Sequence, residues 1–568
     1  MSAEELLRHY ERVADAPEAV TRLRRFVLDL AVRGKLVPQV ADEGSASQLL
    51  QHVVDERARL VRVGELPKPK PLPAIDEAPY VLPETWAWVR IREVTADRGQ
   101  AVPKAPFTYI DVTSINKEAG AVADPKKLTP DEAPSRARKL ARRGDVIYSC
   151  VRPYLLNVAV IESDFEPAPI VSTAFAVLNG FGLVLPRYIW IVLRSPPLVA
   201  AVEEEMRGQA YPAINDAEFS LLPFPLPPLA EQHRIVAKVD ELMALCDRLE
   251  AARAEREAAR DRLTAASLAR LNTADSGSLA HDARFVVDAM PSLLARARQV
   301  MQMRQTLLHL AVRGRLVAQD PSDESASALL ARISTSRAAQ SHTGRARSRS
   351  ALPPIDTEQA PFELPPGWAW ARLPELGIFG RGKSKHRPRN DPALFADGQH
   401  LVIQTGDVAR SGGLIRTHTS KYNDVGLAQS HKWPAGTLCI TIAANIADSG
   451  ILTFDACFPD SVVGFVPDPI LGNARYFEYF VRTAKANLLE FAPATAQKNI
   501  NLEILESVLI PLPPLKEQQR IVARVDELMS LCDKLVDCLH AQEVGGTRLL
   551  DALIARALEQ SEAAEAAA

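Results

Sequence analysis

The 25 residues from Pro225 to Leu249 return at Pro511 to Leu535, 286 positions later, with 20 of the 25 unchanged. A period that long is not a solenoid repeat. It describes a domain-plus-helix unit written twice, so the fold must be assembled from two like halves. Three further pairs extend the duplication. Leu30–Val37 returns as Leu310–Val317, Ser45–Leu50 as Ser325–Leu330, and Leu82–Trp88 as Leu364–Trp370. The offset drifts between 280 and 286, so small insertions separate the copies.

Each unit reads as helix, linker, variable module and long helix. Leu23, Phe26, Val27 and Leu30 form the i, i+3, i+4, i+7 stripe of an amphipathic helix over about 20–36, with a counterpart over about 292–316. Gly34 and Gly314 fall where a helix C-cap wants glycine. Proline-rich linkers follow at 66–74 and 351–354, and the Ser/Ala/Arg-rich stretch 334–350 is expected to be flexible. The long helices start after Pro-Leu-Pro-Pro-Leu. Ile235, Val239, Leu242, Cys246 and Leu249 space an a/d seam that Ile521, Val525, Leu528, Cys532 and Leu535 repeat. Arg253 then shifts its phase. Two such helices can pair antiparallel as a rod or stand in separate bundles. A helix of about 40 residues is about 60 Å long.

The modules, about 85–224 and 367–510, read as mixed α/β. Strand-like runs lie at 145–149, 158–161, 437–442 and 461–465. Trp86, Trp88, Trp368 and Trp370 alternate at the module entrances and are expected to anchor each module to its frame. The modules resemble each other far less than the helices do. A constant frame with divergent modules implies one structural task and two different targets.

Net charge is −3 over 568 residues, so a polyanionic partner has to be held by local patches. Six scattered cysteines form no C-x-x-C pair and point to no zinc site or disulfide framework. Cys246 and Cys532 read as small core residues on helix faces. The first residues lack an apolar signal core, and no window of 18 apolar residues occurs. The cytoplasm is therefore expected, with no membrane contact.

No catalytic or metal-binding motif stands in a fitting context. Gly377–Ser384 matches G-x-x-x-x-G-K-S on paper, but Pro374 breaks the segment before it and Pro388 the one after. A P-loop needs a buried strand ahead of it and a helix behind it. The same stretch makes a better phosphate reader. Arg381, Lys383, Lys385, Arg387 and Arg389 occupy every second position, interleaved with Ser384 and His386. In an extended segment alternate side chains share a face, and cations lined along phosphates release counterions. The first module has a looser set in Arg136, Arg138, Lys139, Arg142 and Arg143. It also places Arg152 beside Tyr154, a pair able to reach base edges and stack.

The twice-written Pro-Leu-Pro-Pro-Leu-x-Glu-Gln-x-Arg-Ile-Val and Leu-Ala-x-Arg-Gly-x-Leu-Val segments, with the run Gly436–Asn445, carry a family resemblance. The chain resembles the DNA-specificity subunits of type I restriction–modification systems, and the resemblance covers essentially its whole length. It implies an α+β, pseudo-two-fold architecture with two α/β target-recognition domains separated by long antiparallel coiled-coil helices. The expected divisions are 1–80 (helical region and linker), 81–228 (first recognition domain), 229–360 (central spacer and linker), 361–514 (second recognition domain) and 515–568 (terminal helical region). Each recognition domain is expected to read one half of a bipartite site in double-stranded DNA, with half-sites about one helical turn apart.

The helices are expected to dock two methyltransferase subunits, and a restriction/translocase subunit would complete the assembly. The resemblance implies a chain with no catalytic residue and no cofactor of its own, S-adenosylmethionine and ATP belonging to partner subunits. Arg33, Gly34, Arg313 and Gly314 lie in the frame and are candidates for partner docking. The rival readings are a coiled-coil scaffold for proteins, or an enzyme, either a P-loop nucleotide hydrolase at Lys383 or a solitary methyltransferase.

Overall fold

The computed structural model describes residues 16–69, 71–75, 77–208, 211–273, 278–342, 354–355, 360–386, 388–443, 447–490 and 502–565. They form two compact units, Met1–Arg256 with Gln542–Ala568, and Glu257–Ala541. The helices that matter are α1 (Ala19–Val32), α2 (Ala46–Arg62), α3 (Pro186–Arg194), α4 (Leu229–Thr273), α5 (Leu279–Leu293), α6 (Ala297–Val312), α7 (Ala326–His342), α8 (Arg475–Glu490) and α9 (Leu515–Glu565).

In each unit two sheets build the module. In the first, a five-stranded sheet runs Phe175–Leu178, Val146–Ser149, Val158–Val160, Ala121–Val122, Ile115–Asn116. A four-stranded sheet runs Lys126–Leu128, Phe107–Ile110, Pro169–Ser172, Ala137–Leu140. The second module repeats this order. Val462–Pro467, Leu438–Thr441, Ser449–Leu452 and Leu414–Ile415 neighbour one another in one sheet, and Ser420–Tyr422, His400–Val402, Ala456–Cys457 and Lys432–Trp433 in the other. Even the parallel pairs correspond: Tyr109 faces Ile170, as Val402 faces Cys457. The modules therefore share a fold that their sequences scarcely advertise. The four strand runs read from the sequence all form strands.

The repeated motif is explained at the module roots. A short antiparallel ribbon, Ala87–Arg90 with Pro223–Leu226, closes the first module, and Ala369–Ala371 with Ile510–Leu512 closes the second. Pro225 and Pro511 give up a ladder donor there, and their carbonyls accept from the buried Tyr188 and Tyr476 hydroxyls at 2.9 and 2.5 Å. Six residues beyond each, the glutamate of the motif accepts from a buried indole. Trp86 Nε1 donates to Glu231 at 2.9 Å and Trp368 Nε1 to Glu517 at 3.1 Å. Burial raises the pKa of both carboxyls, and these hydrogen bonds pull against it. Gln232 and Gln518 donate back to the Pro227 and Pro513 carbonyls, and Arg234 and Arg520 pair with Glu43 and Asp323. Glu231 and Glu517 thus tie the long helix to the root of its module, while Arg234 and Arg520 tie it to the residues ahead of α2 and α7. The expected tryptophan anchors are present: Trp86 and Trp368 are buried, and Trp88 donates to the Tyr80 carbonyl.

The a/d seam divides its work along its length. Ile235 and Val239 of α4 lie fully buried in the first module's core, and Ile521 and Val525 of α9 in the second's. The start of each long helix therefore seats a module. Farther along, the seam packs among helices: Cys532 and Leu535 of α9 share an apolar cluster with Leu268 and Leu271 of α4, and short helices join them. Arg24 of α1 pairs with Asp247 on α4 at 2.6 Å, and its repeat mate Arg304 of α6 pairs with Asp533 on α9 at 2.5 Å. Cys246 and Cys532 are buried on these faces, as expected. Arg253, where the seam breaks phase, donates to the Ala16 carbonyl beside α1.

One helix differs from its expected span. The 292–316 helix begins at Ala297, because the chain leaves helical geometry at Leu294 and Arg296 becomes an N-cap. The preceding residues form α5, whose Val286 and Leu293 pack on Leu268 and Leu271 of α4.

Gly34 and Gly314 sit at φ +71° and +68°, each ending its helix with a six-to-one bond, Lys35 N to Leu30 O and Arg315 N to Leu310 O, both 2.9 Å. A Cβ on Gly34 would stand 2.4 Å from Pro83 Cγ, and on Gly314 2.6 Å from Pro365 Cγ. Gly34→Ala and Gly314→Ala should each cost at least about 1–3 kcal/mol. Because they lie in separate units, chemical denaturation of the double variant should give the sum of the two losses.

Glu478 of α8 is fully buried under the second module's sheet, bonded to Arg482 and to Ser449. Burial lifts its pKa to about 7 against the pull of Arg482 and Arg475. The native state then holds a proton that the unfolded chain releases near pH 4.5. Stability from this group is full below that range and is lost as pH rises toward 7. Urea midpoints of Glu478→Gln should fall less than those of the parent between pH 4.5 and 7.

Candidate nucleic-acid interface

In the second module Gly377–Arg381 is an edge strand paired with Val462–Pro467, Arg381 opposite Val463. Past its end the chain stays extended. Gly382 N donates to Val462 O at 2.8 Å and Lys383 N to Phe458 O at 3.1 Å. A Cβ on Gly382 would fall 2.3 Å from the Pro459 carbonyl, so glycine is required for this approach. Gln429 then receives the Lys385 and His386 amides at 2.7 and 3.1 Å. The alternation is as expected over five residues: Arg381, Lys383 and Lys385 are exposed, and Gly382 and Ser384 are buried between them. Among the described residues none of these three cations is held in an ion pair, so they stand as a short row of available positive charge.

The row is shorter than the sequence suggests. At His386 the chain bends, and its Nε2 sits 2.8 Å from Asp391. Arg389 is turned to Asp460 at 2.6 Å, a half-exposed pair. Arg387 lies outside the described residues. Ser384 is buried, so it is a packing position rather than a contact. The P-loop reading fails outright: Gly377–Arg381 is itself strand, and no helix follows Lys383 to present its amides to a phosphate.

In the first module Lys139 has to be struck from the cationic set. Its strand, Ala137–Leu140, turns it inward to 1% side-chain exposure, where Asp216 and, at 3.5 Å, Asp97 neutralise it. An ammonium buried in this way is a structural ion pair. Arg138 is half-buried and folds onto the Ala137 carbonyl, whereas Arg136 is exposed. Arg142 is exposed, and Arg143 makes a loose 3.4 Å pair with Asp164. Arg152 and Tyr154 both lie on the loop after Val146–Ser149. Arg152 takes a left-handed backbone, and Tyr154 is 43% exposed. Sequence reasoning missed Tyr211, whose ring lies 4.8 Å under the Arg152 guanidinium. Its one signal was position, two residues ahead of the Ala213-Ile-Asn215 run that weakly echoes Asn499-Ile-Asn501. Residues 499–501 of that echo lie outside the described residues.

The frame candidates have internal work. Arg33 pairs with Asp29 at 2.8 Å and covers the Tyr80 ring, and Arg313 covers Phe362. Gly34 is buried against Pro83 and Trp86. Among the described residues no group of three or more His, Cys, Asp or Glu could hold a metal, and no helix is long and apolar enough to cross a membrane.

The family described as type I restriction modification DNA specificity domain matches residues 186–256 and 367–539. These spans begin in the modules and run into α4 and α9. The chain is 29% identical over 563 residues to the type I restriction enzyme EcoAI specificity subunit of Escherichia coli, covering 94% of this chain and 93% of the relative. It is 28% identical over 585 residues to the EcoEI specificity subunit of the same organism, covering 95% and 94%. A solved structure on complex assembly and conformational transition of the type I R-M system contains a similar chain, 25% identical with a TM-score of 0.54. The match covers 84% of this chain and 98% of that one.

If Arg381, Lys383 and Lys385 each neutralise a phosphate, replacing all three by Ala lowers the slope of log affinity against log salt by about 2–3. Lys139→Ala should instead destabilise the fold and leave that slope unchanged. Fluorescence-anisotropy titration of duplex DNA at several salt concentrations checks both.

Proposed function

We propose that the chain is a DNA-specificity subunit of the type I restriction–modification kind, a reading its likeness to those proteins supports, and that its residues divide the work as follows. It is the sequence-specificity subunit and carries no catalysis of its own. The first module reads one half of a bipartite duplex site through Arg136, Arg152 and Tyr154. The second reads the other half, with Arg381, Lys383 and Lys385 along its phosphates. Arg389 joins them on binding, because a half-exposed ion pair is worth little and a phosphate can replace Asp460.

The observation that carries this reading is the contrast between root and module. The same tryptophan–glutamate clamp and the same strand order occur twice, while the exposed surfaces differ. A duplicated holder with unlike contents is what an asymmetric two-part site requires.

The frame would dock two methyltransferase subunits, and a restriction/translocase subunit would complete the assembly. What supports docking on the frame is that outward apolar positions also recur: Leu245 and Leu531 are repeat mates on α4 and α9, each 52% exposed. With Gly34 buried, the Arg33-Gly34 and Arg313-Gly314 corners would act by shaping these surfaces, with Arg33 and Arg313 at their margins. S-adenosylmethionine and ATP would be bound by the partners, in the cytoplasm where the DNA is.

Methylation mapping of genomic DNA from cells with and without this chain tests the proposal. A bipartite motif with two unlike halves and an unread gap should lose its methylation when the chain is absent. Loss of no motif, or loss of a single uninterrupted one, contradicts it.

A further inference from the structure

Tyr211 is 70% exposed, among the most solvent-exposed large side chains of the described protein. The residues that follow it are nonetheless closely held. Arg152 N donates to Pro212 O at 2.8 Å, Ile214 N to Cys150 O at 3.0 Å, and Val151 bridges to Ala213. Arg207 and Ala213 exchange both amide bonds, at 2.9 and 3.0 Å. Two segments far apart in sequence, 150–152 and 212–214, are thereby joined at the end of the Val146–Ser149 strand. The chain enters and leaves the 152–156 turn through left-handed residues that are not glycine, Arg152 at φ 48° and Leu156 at φ 54°. Such conformations persist only where their surroundings enforce them.

The joined segments and their neighbours carry Arg152, Tyr154, Leu155 and Tyr211, three of them at least 40% exposed. The two tyrosine rings and Leu155 thus keep apolar surface in water. The Arg152 guanidinium over the Tyr211 ring sets the ring's orientation and leaves its outer face open. An exposed aromatic ring suits a base edge better than a phosphate: in the major groove it can pack against an apolar edge such as the thymine methyl. The chemistry contrasts with the second module, where the exposed row is cationic and lacks an aromatic side chain between Arg381 and Lys385.

We infer that Tyr211, oriented by Arg152, is a base-contacting specificity determinant of the first module, acting by apolar contact with a base edge rather than by charge. The inference rests on the reading of this chain as a DNA-specificity subunit and adds to it a residue and a mode of contact.

The test is selection of a randomised duplex library by the full-length chain, purified with the subunits that accompany it, followed by sequencing of the bound pool. The parent should enrich a two-part motif. Tyr211→Ala should flatten preference in one half only, weaken binding about tenfold, and leave the salt slope as in the parent. Tyr211→Phe keeps the ring and should keep the motif. Since Tyr211 contributes nothing to the core, the thermal midpoint of Tyr211→Ala should match the parent's. Arg152→Lys, which keeps the charge and loses the plane, provides a second route to the same one-sided loss. A parent that enriches the full motif while Tyr211→Ala and Arg152→Lys enrich it equally overturns the inference and spares the functional reading. A parent that enriches no motif overturns both.

Discussion

A buried carboxylate facing an indole N–H holds each module to its frame. Glu231 with Trp86, and Glu517 with Trp368, are the points where the long helix, the root ribbon and the helix-capping glycine meet. The carboxyls are costly to bury, as their raised pKa values show. Removing the indole would leave a desolvated acceptor, a cost of about 1–3 kcal/mol. The neighbouring bonds depend on the same placement. Gln39 reaches Glu231 at 2.6 Å, and Arg234 clamps Glu43 just beyond. With the root fixed by polar pairing, the module above it is free to change sequence without changing its attachment.

This division explains which parts of the fold were legible in the sequence. The frame was legible because helical stripes and capping glycines are local patterns and because its motif is written twice, although the motif's partners, such as Trp86 for Glu231, lie far away in sequence. The strands were legible as β-branched runs. Their order was not, since pairs such as Tyr109 with Ile170 are set by distant chain segments. The a/d seam was readable as buried but not as to its partner. Ile235 and Val239 meet a module core, which spacing alone cannot distinguish from a second helix.

The site was legible only in part, for a related reason. The alternation at Arg381, Lys383 and Lys385 is a local property of extended chain and could be read. Lys139 could not, because the carboxylates that neutralise it come from positions 97 and 216. Tyr211 carries no motif, and its importance comes from the loop it is bonded to. Burial and long-range pairing decide whether a cation faces solvent, and neither is written in the neighbouring residues.

The central claim is that root and module are separable, with the root constant and the module the bearer of sequence choice. A graft tests it most directly. Residues 91–222, between the strands of the first root, are replaced by residues 373–508, their counterparts from the second. The DNA bound by this chimera is then identified by selection from random duplexes. The account predicts a folded chain that selects two copies of the half-site read by the second module. A chimera that still selects the parent's two unlike halves, or one that cannot seat the second module on the first root, would contradict it.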